Sequence, residues 1–316
     1  MNDVLFAYDG SESSSAALRA AVALLPGARF VVLVVRGNPI QIGQAGAARI
    51  ALPDAVVRKG LGELERETAS RGAALADAGV AIVRDAGADA EPAVVAAGSP
   101  WRAILEESRR RDSDLVACGS RGLGGFGRAV LGSTSSALVH NADRPVLALP
   151  DGKTPVDGPL LIAYDGSEPA RAAIRAAAKL FPGREAIVAH AWHSPTRESL
   201  AYGALLAAPD AAVRDIAREF DERKRVIAST LAEDGAALAA GMGLDARAVL
   251  VPATASEWSA IAGEADRAEA SVVVAGSRGQ GAVLRTLLGS ASSGLTHNAE
   301  RPTLIVSHEG PALGAA

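Results

Sequence analysis

Two short segments of this chain carry residue types and spacings that could do chemistry, and each occurs twice. Gly119-Ser120-Arg121-Gly122 is followed, after nine intervening residues, by Gly132-Ser133. Gly276-Ser277-Arg278-Gly279 is followed, after nine intervening residues, by Gly289-Ser290. Glycines just past a strand let the backbone turn tightly and approach a ligand with no Cβ in the way. A further glycine and a serine that open a helix present free N–H groups at its positive end, where an anion is favoured. Together the two parts could bridge the phosphates of a nucleotide. The second pair of segments is Asp9-Gly10-Ser11-Glu12 and Asp165-Gly166-Ser167-Glu168. A carboxylate is poorly placed against phosphate but accepts hydrogen bonds from an amino group or a ribose hydroxyl. Asp9 and Asp165 therefore suit the other end of such a ligand.

These segments must be held by a repeated framework. The Asp9 motif recurs at an offset of 156 residues and the Gly119 motif at 157, and 17 of the 27 positions from Gly119 to Pro145 match their counterparts. That period is too long for a solenoid, so the natural reading is two domains of one fold. Residues 1–150 form the first and residues 159–308 the second. Residues 151–158, with clustered Gly, Pro and Asp, read as a linker, and 309–316 as a frayed tail. Each half alternates strand and helix. Val4–Tyr8, Phe30–Val35, Val94–Ala97, Asp114–Cys118 and Val146–Leu149 are apolar runs of strand length. Such runs suit strands buried on both faces. Between them lie helices that start after Ser11 or Ser13, from Asp54 through the 70s, from Pro100 to about Arg110, and from Ser133 to Val139. This α/β alternation implies a parallel sheet with right-handed crossovers, with ligands beyond the carboxyl ends of the strands.

Composition narrows the function. The 316 residues carry a net charge of −4, so no basic face for nucleic acid is expected. A single cysteine excludes an internal disulfide framework. No apolar stretch reaches the length of a membrane helix, and Met1-Asn2-Asp3-Val4 has no basic start of a secretory signal; a cytoplasmic protein is expected. Two apparent motifs fail on comparison of the halves. Gly122-Leu123-Gly124-Gly125-Phe126-Gly127 matches a dinucleotide fingerprint but follows the fourth strand, and the second half lacks it. Gly127–Ser133 resembles a P-loop without its lysine. Cys118 reads as a core residue, since its counterpart is Ala275. Trp101 and Trp258 read as packing residues, and His140-Asn141 and His297-Asn298 as helix ends. Arg121, Arg128, Arg278 and Arg285 flank the glycine motif, either as solvated cations or as phosphate contacts.

With the Asp-Gly-Ser turn, the G-x2-G-x9-G-(S/T) signature, and Arg144-Pro145-Val146 or Arg301-Pro302-Thr303 after it, the chain resembles a tandem universal stress protein of the ATP-binding subclass. The resemblance covers nearly the whole chain, twice. It implies two doubly wound five-stranded parallel sheets, order 3-2-1-4-5, of the adenine nucleotide alpha hydrolase-like type. It implies that Asp9 with Gly10, and Asp165 with Gly166, contact the adenosine. Val35 and Ala191 would offer backbone groups to adenine. Gly119, Gly122, Gly132, Ser133 and Thr134 would hold the phosphates and ribose of the first site. Gly276, Gly279, Gly289, Ser290 and Ala291 would do so in the second. ATP would bring Mg²⁺ or Mn²⁺. The family often has a histidine just before the adenine position; His190 fits and Val34 does not. The two domains would pack about a pseudo-two-fold axis, with further homodimerisation expected. No repeated carboxylate or histidine has a place beside the terminal phosphate, which points to a nucleotide-dependent stress module with little or no hydrolysis. The competing readings are a slow ATPase or nucleotidyl-transfer enzyme, whose Ser-Gly-Gly-x-Asp-Ser loop Asp9–Glu12 does not match, and an interaction scaffold.

Overall fold

The structure is a computed structural model. It describes residues 1–37, 54–120, 132–150, 155–194, 211–253, 256–277, 294 and 300–307. The chain divides into two compact units, Met1–Leu138 with Val146–Gly152, and Val139–Pro145 with Lys153–Ala316. Among the described residues no helix is long and apolar enough to cross a membrane.

The first half of the chain runs β1 (Asp3–Ala7), α1 (Glu12–Leu24), β2 (Arg29–Arg36), α2 (Asp54–Asp85), β3 (Asp89–Ala96), α3 (Pro100–Arg110), β4 (Leu115–Gly119), α4 (Ser133–Asn141) and β5 (Val146–Leu149). All pairings are parallel, in the order β3-β2-β1-β4-β5. The second unit repeats this with β6 (Leu160–Ala163), α5 (Glu168–Leu180), β7 (Glu185–Trp192), α6 (Ala211–Gly241), β8 (Asp245–Pro252), α7 (Glu257–Arg267), β9 (Val272–Gly276) and β10 (Thr303–Val306). Its order, β8-β7-β6-β9-β10, is the same 3-2-1-4-5. The segment between β9 and β10 that would match α4 lies outside the described residues, apart from Gly294.

The central strands are fully buried, as their unbroken apolar runs require: Val4, Leu5, Phe6, Leu115, Val116 and Ala117 have no exposed surface. Leu18, Val22 and Leu25 fill the underside of α1 at helical spacing. Two boundaries differ from expectation. β3 begins at Asp89 rather than Val94, because exposed Asp89, Glu91 and Pro92 are mixed with buried Ala90 and Ala93 instead of forming an apolar run. Exposed residues of this kind suit an edge strand, which also tolerates Pro92. α2 runs on to Asp85, where Gly87 N donates to Arg84 O and Ala88 N to Val83 O, the paired bonds that close a helix at a left-handed residue.

The edge is tied to the body by charge. Glu107 is 8% exposed and accepts from Arg110 Nε at 2.8 Å and from Arg111 Nε at 2.5 Å. Arg111 also pairs with Glu91 on β3. The Arg110 hydrogen bonds, with Arg111 added and burial opposing, lower the Glu107 carboxyl to about 2. Its folded value lies below the ordinary 4.5, so its stabilisation is present above pH 4.5 and is lost as pH falls toward 2. Glu107→Gln is expected to cost about 2 kcal/mol near neutral pH. The gap to wild type in urea melts should close in acid; an equal gap at both ends of that window would refute the assignment.

Candidate functional site

The site is built where β1 and β4 separate. Ala7 pairs with Cys118, so Asp9 and Ser120 leave adjacent strands side by side at the carboxyl edge, where strand order reverses. In the second unit Ile162 pairs with Val274, which places Asp165 beside Ser277 in the same way.

After β1 the chain turns sharply into α1. Asp9 Oδ1 accepts from Ser11 N at 3.0 Å and from Ser11 Oγ at 2.7 Å. Ser11 Oγ in turn accepts from Ser14 N at 3.0 Å and caps the helix. In the second unit Asp165 Oδ1 accepts from Ser167 N at 3.0 Å, and Ser167 Oγ accepts from Ala170 N at 3.3 Å. Gly10 and Gly166 both have φ of +78°, which only glycine adopts without strain. The repeated Asp-Gly-Ser is therefore first a helix-entry device, and it leaves each carboxylate half-buried and fixed at the rim.

After β4, Ser120 N donates to Leu149 O at 2.6 Å, and Gly132 N donates to Ser120 O at 2.7 Å. That second bond brings the end of β4 and the start of α4 together. Gly132 O accepts from Ser136 N at 2.9 Å and so begins α4. Gly132 thus spends its own N–H on the strand end and offers the ligand the start of the helix instead. By helix geometry the amides of Ser133, Thr134 and Ser135 have no partner within the helix. Ser133 is exposed and Thr134 half-buried. Ser135, which the motif reading passed over, is 5% exposed and donates from Oγ to Gly119 O at 2.7 Å. It locks the strand end to the helix start. Its counterpart Ser292 at the same offset was the available signal.

The ends of β2 and β7 differ. Val34 is 4% exposed, whereas at its counterpart His190 Nδ1 lies 2.8 Å from Tyr164 O. A carbonyl only accepts, so Nδ1 carries the proton in this contact. Arg36 pairs with Glu65 and donates to Thr68 Oγ1 at 3.2 Å; the matching Trp192 has no such charge, and Asp221 accepts from Ser194 Oγ at 2.7 Å. Val35 and Ala191 sit half-buried at these strand ends. Tyr8 and Tyr164 pack over Gly79 and Gly235, also 156 residues apart. Tyr8 OH shares a hydrogen bond with Ser15 Oγ at 2.9 Å.

Of the remaining sequence candidates, Gly122, Gly279, Gly289, Ser290 and Ala291, with Arg121, Arg128, Arg278, Arg285 and His297-Asn298, lie outside the described residues. Gly119 and Gly276 end β4 and β9 as expected. At Gly276 a Cβ would lie 2.6 Å from the backbone of Pro169, so this glycine also admits α5. Cys118 is buried, and desolvation, opposed by its contact with the Ser135 hydroxyl, pushes its thiol up to about 11. Native protein at about pH 8 should resist alkylation and react only on unfolding. Stoichiometric labelling within minutes, without loss of helical signal, would contradict that burial. Trp101 and Trp258 are half-buried on α3 and α7. His140 closes α4 in its last turn, the favourable end of the helix for a cation.

A family model described as the universal stress protein family matches residues 1–150 and again 158–307. A universal stress protein of Mycolicibacterium smegmatis is 29% identical over 210 residues, which is 65% of this chain and 65% of that one. The chain thus spans just under two thirds of that relative's length. A universal stress protein of Thermus aquaticus is 34% identical over 147 residues, 46% of this chain and 95% of the relative. A solved universal stress protein from Archaeoglobus fulgidus shares the fold, with a TM-score of 0.58 at 21% identity over 97% of this chain and 98% of that one. One family model matched twice, over two copies of one strand order, makes this chain a tandem member of the universal stress protein family.

Proposed function

We propose that each half binds one adenine nucleotide, ATP with Mg²⁺ or Mn²⁺, and that the chain is a nucleotide-dependent stress module with little or no turnover, acting in the cytoplasm. The observation that carries this reading is the start of α4. By helix geometry three amides, with the exposed Ser133 hydroxyl, start α4 at the carboxyl edge of the sheet, where Gly132 N donates to Ser120 O. That is an anion cradle. Asp9, one strand over, supplies an acceptor for the neutral end of the ligand. The donor set at the helix start is hydroxyls and amides, which fit phosphate oxygens; the cation would be held chiefly by those oxygens. Among the described residues no group of three or more His, Cys, Asp or Glu could hold it apart from them. Low turnover is supported by the engagement of Asp9, whose Oδ1 is held by Ser11 N and Oγ and is not positioned as a base for water.

The test is to denature freshly purified protein and quantify the small molecules released per chain. Close to two adenine nucleotides, mostly ATP, is the expected result. One per chain would mean that the halves have diverged at the strand ends described above. ADP or AMP, with steady release from added ATP that scales with protein, would replace the module reading with an enzyme. An empty protein that takes up no added ATP would overturn nucleotide binding altogether.

A further inference from the structure

α4 is fastened at its start by a different device from the other helices. α1, α5 and α7 each begin behind a serine, Ser11, Ser167 or Ser256, whose hydroxyl accepts from the amide three residues on. That bond steadies the helix start and uses up one of its open amides. α4 begins behind Gly132, whose carbonyl accepts from Ser136 N at 2.9 Å. Glycine has no side chain with which to cap. The first amides of α4 are thereby left for a ligand, and the helix start is left without a serine to hold it.

Ser135 supplies the hold from the strand side. Its hydroxyl donates to Gly119 O at 2.7 Å, across 16 positions of chain, and takes up no amide of the helix. The other bond between the same two segments is that of Gly132 N to Ser120 O, at 2.7 Å. One bond alone is a pivot. The helix can swing about it, and the direction of its first amides swings with it. Two bonds at different residues fix that direction. Donors fixed before the ligand arrives lose little freedom when it binds, so their aim bears directly on affinity. Ser135 is 5% exposed and faces Gly119, so it is not itself a contact for a ligand entering from water. The Cys118 thiol lies against the same hydroxyl, but the second half has Ala275 in that place, so the thiol is not required for the device.

We infer, on the nucleotide reading given above, that Ser135 is a positioning residue of the first site. Through Gly119 it aims the opening amides of α4 at the phosphate end of the ligand without touching it.

Titration of the full chain with ATP and Mg²⁺ tests this. Ser135→Ala should leave one site at wild-type affinity and weaken the other by roughly 10-fold or more, the effect of losing one well-aimed hydrogen bond to a charged oxygen. Adenosine, read by its competition with ATP, should bind variant and wild type alike, because it has no phosphate to be aimed at. Cys118→Ala alters the packing at the same hydroxyl but keeps the Ser135 bond, and should bind ATP as wild type does. If Ser135→Ala fails to fold, Ser135→Cys in the Cys118→Ala background keeps the volume with a poor donor and makes the same test. Equal losses of ATP and adenosine affinity would reduce Ser135 to a packing residue and overturn the inference. So would unchanged ATP affinity in the variant beside a wild type that binds ATP, and the nucleotide reading would then still stand. A wild type that binds no ATP would overturn that reading and the role of Ser135 together.

Discussion

Gly276→Ala is expected to lower the thermal midpoint of unfolding by about 2–12 °C. The motif alone would assign this residue to the ligand. In the structure its missing Cβ is what admits the first turn of α5: a methyl there would lie 2.6 Å from both the carbonyl carbon and oxygen of Pro169. Those are backbone atoms, so no side-chain rotation relieves the clash. Either β9 or the start of α5 has to move, and both are packed against the core through Val274, Ala173 and Ile174. Overpacking of this kind costs about 1–3 kcal/mol, and about 2–4 °C accompanies each kcal/mol in chains of this class. Circular dichroism melts of wild type and variant, with saturating ATP and without, separate the two roles. A midpoint unchanged without nucleotide, together with loss of the stabilisation that ATP confers, would return Gly276 to the ligand alone.

The second large effect concerns the anion cradle. Ser133→Glu places a carboxylate on the exposed first residue of α4. A negative charge in the first turn favours the helix by about 0.3–1 kcal/mol. The same charge, about 4 Å from a bound phosphate, would oppose it by about 1–4 kcal/mol between bulk and surface dielectric. The variant should therefore melt no lower than wild type, yet bind nucleotide at the first site at least ~10-fold more weakly. Released nucleotide would fall by one per chain while the second site keeps its own. Few substitutions set stability and binding in opposite directions, and that opposition makes this one diagnostic. Full nucleotide content in the purified variant, with wild-type affinity on titration, would remove α4 from the site.

The framework was readable because its strands are buried on both faces and announce themselves as apolar runs. The repeat then doubled every observation. The start of β3 is not legible, because Asp89, Glu91 and Pro92 are exposed at a sheet edge and break the apolar run. A strand end of mixed polar and small residues gives neither an unbroken run nor a clean period of two. The rim residues were legible as types but not as roles. Asp9 looks like a ligand contact in the sequence, and only the hydrogen bonds to Ser11 show that its first task is to turn the chain. Ser135 was hidden among three serines and a threonine, since nothing in Ser-Thr-Ser-Ser says which hydroxyl faces Gly119. The difference between Val34 and His190 was visible, but its meaning required the carbonyl of Tyr164.

The entrance to the second unit is fastened more firmly than a linker composition suggests. Of the expected linker 151–158, Val156 O and Gly158 O each accept from Arg184 at 2.8 Å. Ser271, with no exposed surface, accepts from Arg184 at 2.8 Å and donates to Gly158 O at 2.8 Å. Anyone dividing this gene to study the halves separately meets a hard limit here. A fragment opened at Leu160, where β6 begins, would strip the half-buried Arg184 of both its backbone acceptors, leaving only Ser271 Oγ, and should be poorly soluble. One opened at Thr154 keeps the fastening whole.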